Sequence, residues 1–429
     1  VGGVRRSALI SLSNLSDDRM RAAKSGQWWT TEPQRALANN SACYTEKPDI
    51  GVFMDEWKAL YESKSGERGI FNRVSAVKIS EKFGRRNTEN HEFGTNPCSE
   101  IILRSREFCN LSEVIVRPTD TKESLLKKVR LATILGTFQS TLVNFKYISS
   151  VWKKNCEEER LLGVSLTGIM DCKLTNGKQL SNGLESNALP KLLEELREEA
   201  LKINTEFAKK IGINQSVAIT CVKPSGTVSQ LVNAASGIHA RHNPYYIRTV
   251  RGDKKDPLTK MMKDAGFPIE DDVMNPSHTA VFSFPMKVDK SSIFRNDMSA
   301  IEQLELWLVY QNHWCEHKPS VTISVREEEW LDVGAWVYKH FDIMSGVSFL
   351  PFSEHIYKQA PYQDIKKEEY DKLLSLMPKD INWSMLSEYE KTDMTSGSQE
   401  LACSASVCEV VDLVSSIPQT ISDVTEIGL

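Results

Sequence analysis

Apolar and polar positions along this chain follow two periods, and from about residue 109 the two take turns in a regular order. Short apolar runs rich in β-branched residues fall at 109–116, 161–168, 216–222, 319–325 and 346–352. Between them, apolar residues recur at helical spacing over 122 to about 147, about 187 to 210, from near Thr227, over about 298 to 313, and in a shorter stretch before Gly346. Five strands separated by helices predict a parallel sheet of strand-helix-strand crossovers, an α/β fold. Upstream, residues 7–13 predict a buried strand and 55–63 a helical patch, while 16–95 are otherwise polar and mixed.

With 429 residues, 40% hydrophobic and 26% charged, the chain can bury a sizeable core as one large domain or two smaller ones. A formal net charge of −4 argues against a whole-chain basic field for nucleic acid polymer and leaves room for a local patch that takes a phosphorylated small molecule. No apolar run approaches membrane-spanning length, and the opening Val1-Gly2-Gly3-Val4-Arg5-Arg6 is no signal peptide, so a cytoplasmic protein without membrane contact is expected. Nine scattered cysteines fit a reducing compartment, where paired cysteines are more often catalytic than structural. The chain does not begin with Met, and a further portion upstream is expected.

The chemistry concentrates in one stretch. Asn96-Pro97-Cys98-Ser99-Glu100 precedes the apolar Ile101-Ile102-Leu103, and Glu107-Phe108-Cys109-Asn110-Leu111 follows. If 96–100 is extended, Asn96, Cys98 and Glu100 share a side, bringing an amide, a thiol and a carboxylate together. Pro97 cannot donate a ladder hydrogen bond, so the strip is expected to be a projecting loop. Cys109, eleven residues on, opens the first of the five strands. A radical or redox centre suits this set better than a metal site, although any one cysteine alone is more often packing.

Farther on, Lys223-Pro224-Ser225-Gly226-Thr227-Val228 follows a strand and opens a helix. Residues alone allow either a phosphate site of backbone N–H groups and hydroxyls or a capped helix after a tight turn. Cys403 and Cys408 form a C-x4-C pair without further ligands nearby, which suits a mobile redox dithiol better than zinc. Twenty-one residues follow Cys408, so the pair is not terminal. His313, Cys315 and His317 alternate at a helix end, where solvent exposure is expected and not a metal.

The runs at 96–100 and 107–114 together resemble the ribonucleotide reductases, most closely the adenosylcobalamin-dependent class II enzymes of the monomeric triphosphate-reducing type. The resemblance extends from Gly2-Gly3-Val4-Arg5-Arg6 through Asn39-Asn40-Ser41 and the stretch 66–73 to the final dithiol. It implies a ten-stranded α/β barrel of two antiparallel five-stranded halves with a finger loop between them. Here 1–95 would end the first half, 96–355 would hold the finger and the second half, 356–400 a helical segment, and 401–429 the tail with its dithiol.

By the same resemblance, Cys98 corresponds to the thiyl radical and Glu100 to the base for the 3′-hydroxyl proton. Asn96 would hold the ribose hydroxyls, Cys109 would be one of two reducing thiols, and Ser225, Gly226 and Thr227 would be the substrate-phosphate contacts. Cys403 and Cys408 would be the shuttle re-reduced by thioredoxin or a similar protein. The partner of Cys109 is expected in an N-terminal portion of the enzyme, without which the chain alone is not expected to turn over. Cys43, Cys156, Cys172, Cys221 and Cys315 match no catalytic position. Tyr245-Tyr246 is similar to the radical-relay pair of class I enzymes but follows the phosphate turn instead of lying on the last strand, which points to adenosylcobalamin as the radical source. The chain has no Asp-x-His-x-x-Gly run, so the cofactor would keep its own base on cobalt. The alternatives are a class I large subunit, a glycyl-radical reductase, and a truncated nucleotide-binding or dithiol-exchange protein without catalysis.

Overall fold

A computed structural model of the chain describes residues 9–32, 34–35, 38–178, 187–273, 275–352 and 358–392. Its frame is a wall of eight strands: β1 (Leu9–Ser13), β2 (Ala38–Tyr44), β3 (Gly69–Asn72), β4 (Asn110–Ile115), β5 (Leu162–Thr167), β6 (Thr220–Cys221), β7 (Thr322–Val325) and β8 (Gly346–Pro351). Strands β4, β5 and β6 are parallel neighbours, and β7 pairs parallel with β8. A parallel bridge between Val222 and Pro319 joins the two groups, with Val222 N–H on the Lys318 carbonyl at 3.1 Å and Ser320 N–H on the Val222 carbonyl at 2.8 Å.

The five predicted strands are all present and run in one direction. Beyond β8 the direction reverses: β8 pairs antiparallel with β3, and β3, β2 and β1 follow parallel to one another. Two oppositely directed parallel sets therefore meet at the β8–β3 seam. In the wall the described residues give eight strands with no pairing between β1 and β4, so the ten-stranded closed barrel expected from the resemblance is not seen as such.

Helices complete the crossovers. Lys122–Gln139 starts in a capping box of Thr121 and Ser124, and Ala300–His313 in one of Ser299 and Glu302. Ala188–Ile211 buries Leu189, Leu193, Leu196, Ala200 and Ile203 on one face and ends at Gly212, whose φ of 74° suits the residue after a helix. All six residues of β5 are buried, as expected of a central parallel strand covered on both faces. Trp307, Tyr310, Trp314 and Phe349 are fully buried in the same continuous core.

Three expectations are corrected. The opening strand is not buried: at the end of the wall Leu9 is 63% exposed and only Ser13 is enclosed. The helix expected to reach about residue 147 stops at Gln139, and a second helix, Ser150–Glu159, precedes β5. Strand β6 keeps two ladder residues of the seven expected, because the chain passes at once into the bridge with Pro319. The insertion before Ala300, for which no element is predicted, supplies three strands, Tyr245–Asp253, Ile269–Asp271 and Thr279–Lys287, of a four-stranded antiparallel sheet that Tyr362–Asp364 completes.

Candidate active site

The finger is a short hairpin. Gly94–Thr95 pairs antiparallel with Ile102–Leu103, and the tip between them turns, with Ser99 N–H on the Asn96 carbonyl at 2.9 Å. Ser99 has a φ of 64°. The strip 96–100 is therefore a projecting loop, as Pro97 required, but it is not extended, and alternation does not set its side chains. A left-handed residue between Cys98 and Glu100 breaks the period of two.

Both halves of the wall hold the tip. Asn39 on β2 donates from Nδ2 to the Pro97 carbonyl at 2.6 Å, and Ser320 Oγ donates to the Cys98 carbonyl at 2.6 Å. Lys318 N–H reaches the Glu100 carbonyl at 3.0 Å, and Ile102 N–H reaches His317 Nδ1 at 3.3 Å. Arg86 Nη1 donates to the Ile102 carbonyl at 3.0 Å while its Nε and Nη2 grip Glu159 at 3.0 and 2.6 Å.

Cys98 lines an open cavity of about 830 Å³, mouth included. Asn39, Ser41 and Glu67 come to it from the first-half strands and the loop before β3, Ser320 and Thr322 from β7 and its approach, Ser348 from β8, and Pro224 and Gly226 from the phosphate turn. The thiol and the turn therefore face one space, walled by hydroxyls and an amide. His239, also in the wall, is neutral by burial: its Nδ1 donates to the Ser236 carbonyl at 3.0 Å and its Nε2 accepts from Thr322 N–H at 3.1 Å.

Glu100, Asn96 and Cys109 lie behind this lining. Glu100 is 3% exposed, and its Oε2 has no partner among the described residues. Burial pushes its carboxyl up, opposed by a hydrogen bond from Asn96 and by the ammonium groups of Lys223 and Lys318. Asn96 Oδ1 accepts from Ile101 N–H at 2.9 Å, closing the turn from inside. Cys109, just before β4, has its thiol pushed well up by burial and by the Glu100 and Glu107 carboxylates. The same field reaches the fully buried Cys221 on β6, which feels both Glu100 and Cys109.

The turn expected to hold phosphate divides its three residues. Gly226 lines the cavity; Thr227 is exposed at the start of the single-turn helix Val228–Leu231. Ser225 is buried, its N–H on Ser236 Oγ at 2.9 Å and its Oγ accepting from Ser229 N–H at 3.2 Å. That hydroxyl braces the turn instead of facing the cavity, because a one-turn helix leaves Ser229 N–H within its reach.

The cluster at 313–317 does not meet solvent as expected. His313 pairs with Glu194 at 2.8 Å, but Cys315, Glu316 and His317 are buried, Glu316 against Arg85 at 2.6 Å. The chain turns here from helix into wall, and the residues after His313 enter the core. Sequence reasoning also missed Glu67, His239, Ser320 and Thr322. Only Ser320 and Thr322 carried a signal, as polar positions alternating along a predicted strand. Cys403 and Cys408 lie outside the described residues.

A second cavity, of about 1530 Å³, shares Ser236, His239, Val321 and Thr322 with the first. Tyr246, the inner member of the adjacent tyrosines, lines it with His242, Arg295, Phe352 and Tyr362. No helix among the described residues is long and apolar enough to cross a membrane.

No family model matches the chain. It is 27% identical over 398 residues to the adenosylcobalamin-dependent ribonucleoside-triphosphate reductase of Lactobacillus leichmannii, covering 86% of this chain and 52% of that protein. To the protein of the same name from Euglena gracilis it is 28% identical over 401 residues, covering 91% and 52%. The chain thus spans about half the length of the curated relatives it matches. Among solved structures, a B12-dependent class II ribonucleotide reductase superposes with a TM-score of 0.71 at 24% identity, covering 90% of this chain and 56% of that one. The class Id ribonucleotide reductase alpha subunit of Actinobacillus ureae gives 0.50 at 14%, covering 80% and 70%. In sequence over most of its length, and in fold, the chain is similar to the adenosylcobalamin-dependent class II ribonucleotide reductases.

Proposed function

We propose that this chain carries the radical centre of an adenosylcobalamin-dependent ribonucleotide reductase that converts ribonucleoside triphosphates to 2′-deoxyribonucleotides in the cytoplasm. The observation that carries the reading is that Cys98, at the tip of a hairpin braced by both halves of the wall, shares one hydroxyl-lined cavity with Gly226 of the phosphate turn. The triphosphate would lie against the N–H groups of Gly226 and Thr227, with Ser225 bracing their turn, and the ribose toward Cys98.

As a thiyl, Cys98 takes the ribose 3′ hydrogen and later returns it. Glu100 Oε2, buried and without a partner among the described residues, is the atom free to receive the 3′-hydroxyl proton as the 2′-hydroxyl, taking a proton from a thiol of the reducing pair, departs as water. Asn96 steadies that carboxylate and orients the ribose hydroxyls. Cys109 supplies one of the two thiols that reduce the sugar and end as a disulfide. We assign the second to the remaining N-terminal portion of the enzyme, and the re-reduction of the disulfide to Cys403 and Cys408 with thioredoxin or a similar donor.

The residues around the second cavity fit the implied cofactor. It is large, adjoins the Cys98 cavity through His239 and Thr322, and presents aromatic faces together with Arg295 Nε, a buried donor without a partner among the described residues. Tyr246, Tyr362, His242 and Arg295 would hold the corrin ring and its amide fringe. When bound, adenosylcobalamin supplies by homolysis the carbon-centred radical that removes hydrogen from the Cys98 thiol.

The test is product formation by the full enzyme with adenosylcobalamin, a ribonucleoside triphosphate and a dithiol. Cys98→Ser is expected to abolish deoxynucleotide formation while leaving the urea midpoint near that of the wild type. Product from Cys98→Ser would overturn the assignment.

A further inference from the structure

Lys318 has no exposed surface, and the hydrogen bonds its ammonium makes among the described residues go to neutral oxygens. An ammonium taken out of water in this way needs other partners to hold it. Its Nζ donates to Ser99 Oγ at 2.9 Å, with Thr95 Oγ1 and the Ser345 carbonyl each at 3.4 Å, and lies 4.7 Å from the centre of the Phe71 ring. Space for it is kept by Gly346: a Cβ there would come within 2.5 Å of Ser99 Oγ and 2.9 Å of Lys318 Nζ. The same short stretch holds three successive finger residues. Ser320 takes the Cys98 carbonyl, the Lys318 ammonium takes the Ser99 hydroxyl, and the Lys318 N–H takes the Glu100 carbonyl.

We propose that Lys318 is a positioning residue for the finger: its ammonium pins the left-handed Ser99 that sets Cys98 apart from Glu100, and its charge favours the ionised Glu100 carboxylate. The second part rests on the reading of Glu100 as the base. A buried carboxyl is neutral unless positive charge stands near it, and a neutral acid cannot accept the 3′-hydroxyl proton. Glu100 also faces Lys223, which Glu113 partly neutralises at 3.1 Å, and the thiols of Cys109 and Cys221. Beside Lys318, His317 is held neutral by burial, so it adds no charge. Lys318 is itself pushed down to about 7 by burial, with Glu100 opposing the shift, so the two groups exert their influence on each other.

The experiment follows both carboxyl and ammonium by NMR. Protein labelled with 13C at the glutamate carboxyls is titrated as wild type and as Lys318→Met, with Glu100→Gln identifying the Glu100 signal. Loss of the ammonium is expected to raise the Glu100 midpoint by about one pH unit, because the Asn96 hydrogen bond and Lys223 remain. The rising limb of the pH–rate profile of the full enzyme is expected to move with it. Should Lys318→Met fail to fold, the converse serves: in Glu100→Gln labelled with 15N at lysine, the Lys318 midpoint is expected to fall. A lysine acting only as a strut would lower the rate by a similar factor at every pH and leave both midpoints in place, and that result overturns the proposal. Absence of product from the wild type would sink the reductase reading while leaving the titrations to decide the coupling.

Discussion

Asn39 on β2 and Pro97 at the finger tip are joined by a 2.6 Å hydrogen bond from Nδ2 to the carbonyl, so a strand of the first half fixes the loop that links it to the second. This is a contact between elements 58 residues apart, made where the Cys98 cavity opens. Asn39→Ala removes the donor and leaves a partly buried carbonyl to water. A single such bond contributes about 1 kcal/mol, so a small fall in the urea-derived stability is expected. The rate is expected to fall more steeply than stability, by about tenfold or more, because an error of ~1 Å in a reacting group costs far more than the bond that prevented it. Equal activity in Asn39→Ala and wild type would show that the tip is held without β2.

Gly163, the second residue of β5, makes room for Cys109. A Cβ at that position would overlap Leu111 Cδ2, approach Ile101 Cδ1 to 3.1 Å and lie 3.3 Å from Cys109 Sγ. In a close-packed wall such overlap is relieved by moving side chains off their rotamers, at about 1 to 3 kcal/mol. Gly163→Ala is expected to lose stability in that range and to slow the step that oxidises Cys109. Single-turnover product per enzyme measures the latter. A wild-type yield in a destabilised Gly163→Ala would show that the Cys109 thiol tolerates displacement.

Most of the wall was legible in the sequence because its signals are local. Strands β4, β5, β7 and β8 announce themselves as β-branched runs, and the helices between them as a change of period. The cluster Asn96, Cys98, Glu100 was legible for the same reason: three chemical groups within five residues need no tertiary knowledge to be noticed. What stayed hidden depends on contacts distant along the chain. His317 reads as the polar end of a helix, and only the bridge between Val222 and Pro319 places it and Lys318 beneath the finger. Ser225 reads as a phosphate hydroxyl until Ser229 and Ser236 are seen to enclose it. The antiparallel sheet carried its own signal, an alternation over Thr279–Lys287, which the strand-helix rhythm around it obscured.

His317 makes stability depend on acid. It is fully buried between Ile102 N–H, which its Nδ1 accepts at 3.3 Å, and the Leu162 carbonyl, which its Nε2 donates to at 3.0 Å. Only the neutral ring can do both, and burial together with Arg86 pushes its pKa down to about 3. In the unfolded chain the ring takes a proton near pH 6.5, so below that value the unfolded state binds more protons than the native one. Stability is therefore expected to be full above about pH 6.5 and to be lost as the pH falls toward 3, by roughly 1.4 kcal/mol per unit. His317→Asn can keep the acceptor for Ile102 without titrating. Its urea midpoint is expected to be lower at pH 7 and to fall less between pH 6 and 4 than that of the wild type; parallel slopes would remove His317 from the account.

Glu107 and Glu159 give the opposite sign on the alkaline side. Both are buried around Arg86 and Arg104, with Arg86 Nη2 at 2.6 Å from Glu159 and 3.3 Å from Glu107, and Arg104 N–H on Glu107 Oε2 at 2.9 Å. Burial and the neighbouring Glu159 push Glu107 up to about 9. Its Oε1 lies 3.6 Å from Arg104 Nε but accepts no hydrogen bond among the described residues, and when protonated it can donate to Glu159. A raised acid stabilises the fold fully below its unfolded pKa, near 4.3, and loses that contribution as the pH rises toward 9. Glu107→Gln supplies the donor permanently: it is expected to match the wild type near pH 5 and to exceed it increasingly between pH 7 and 9 in urea unfolding. Arg86→Met, by contrast, takes the nearest guanidinium from the buried Glu159 carboxylate and is expected to cost about 3 to 5 kcal/mol at neutral pH. Because the Arg86 guanidinium also holds the Ile102 carbonyl at the base of the finger, that variant is expected to loosen the hairpin bearing Cys98, whereas Glu107→Gln leaves it in place. Faster amide hydrogen exchange at Ile101 and Ile102 in Arg86→Met but not in Glu107→Gln would separate support of the hairpin from bulk stability, and equal exchange in the two would refute the link.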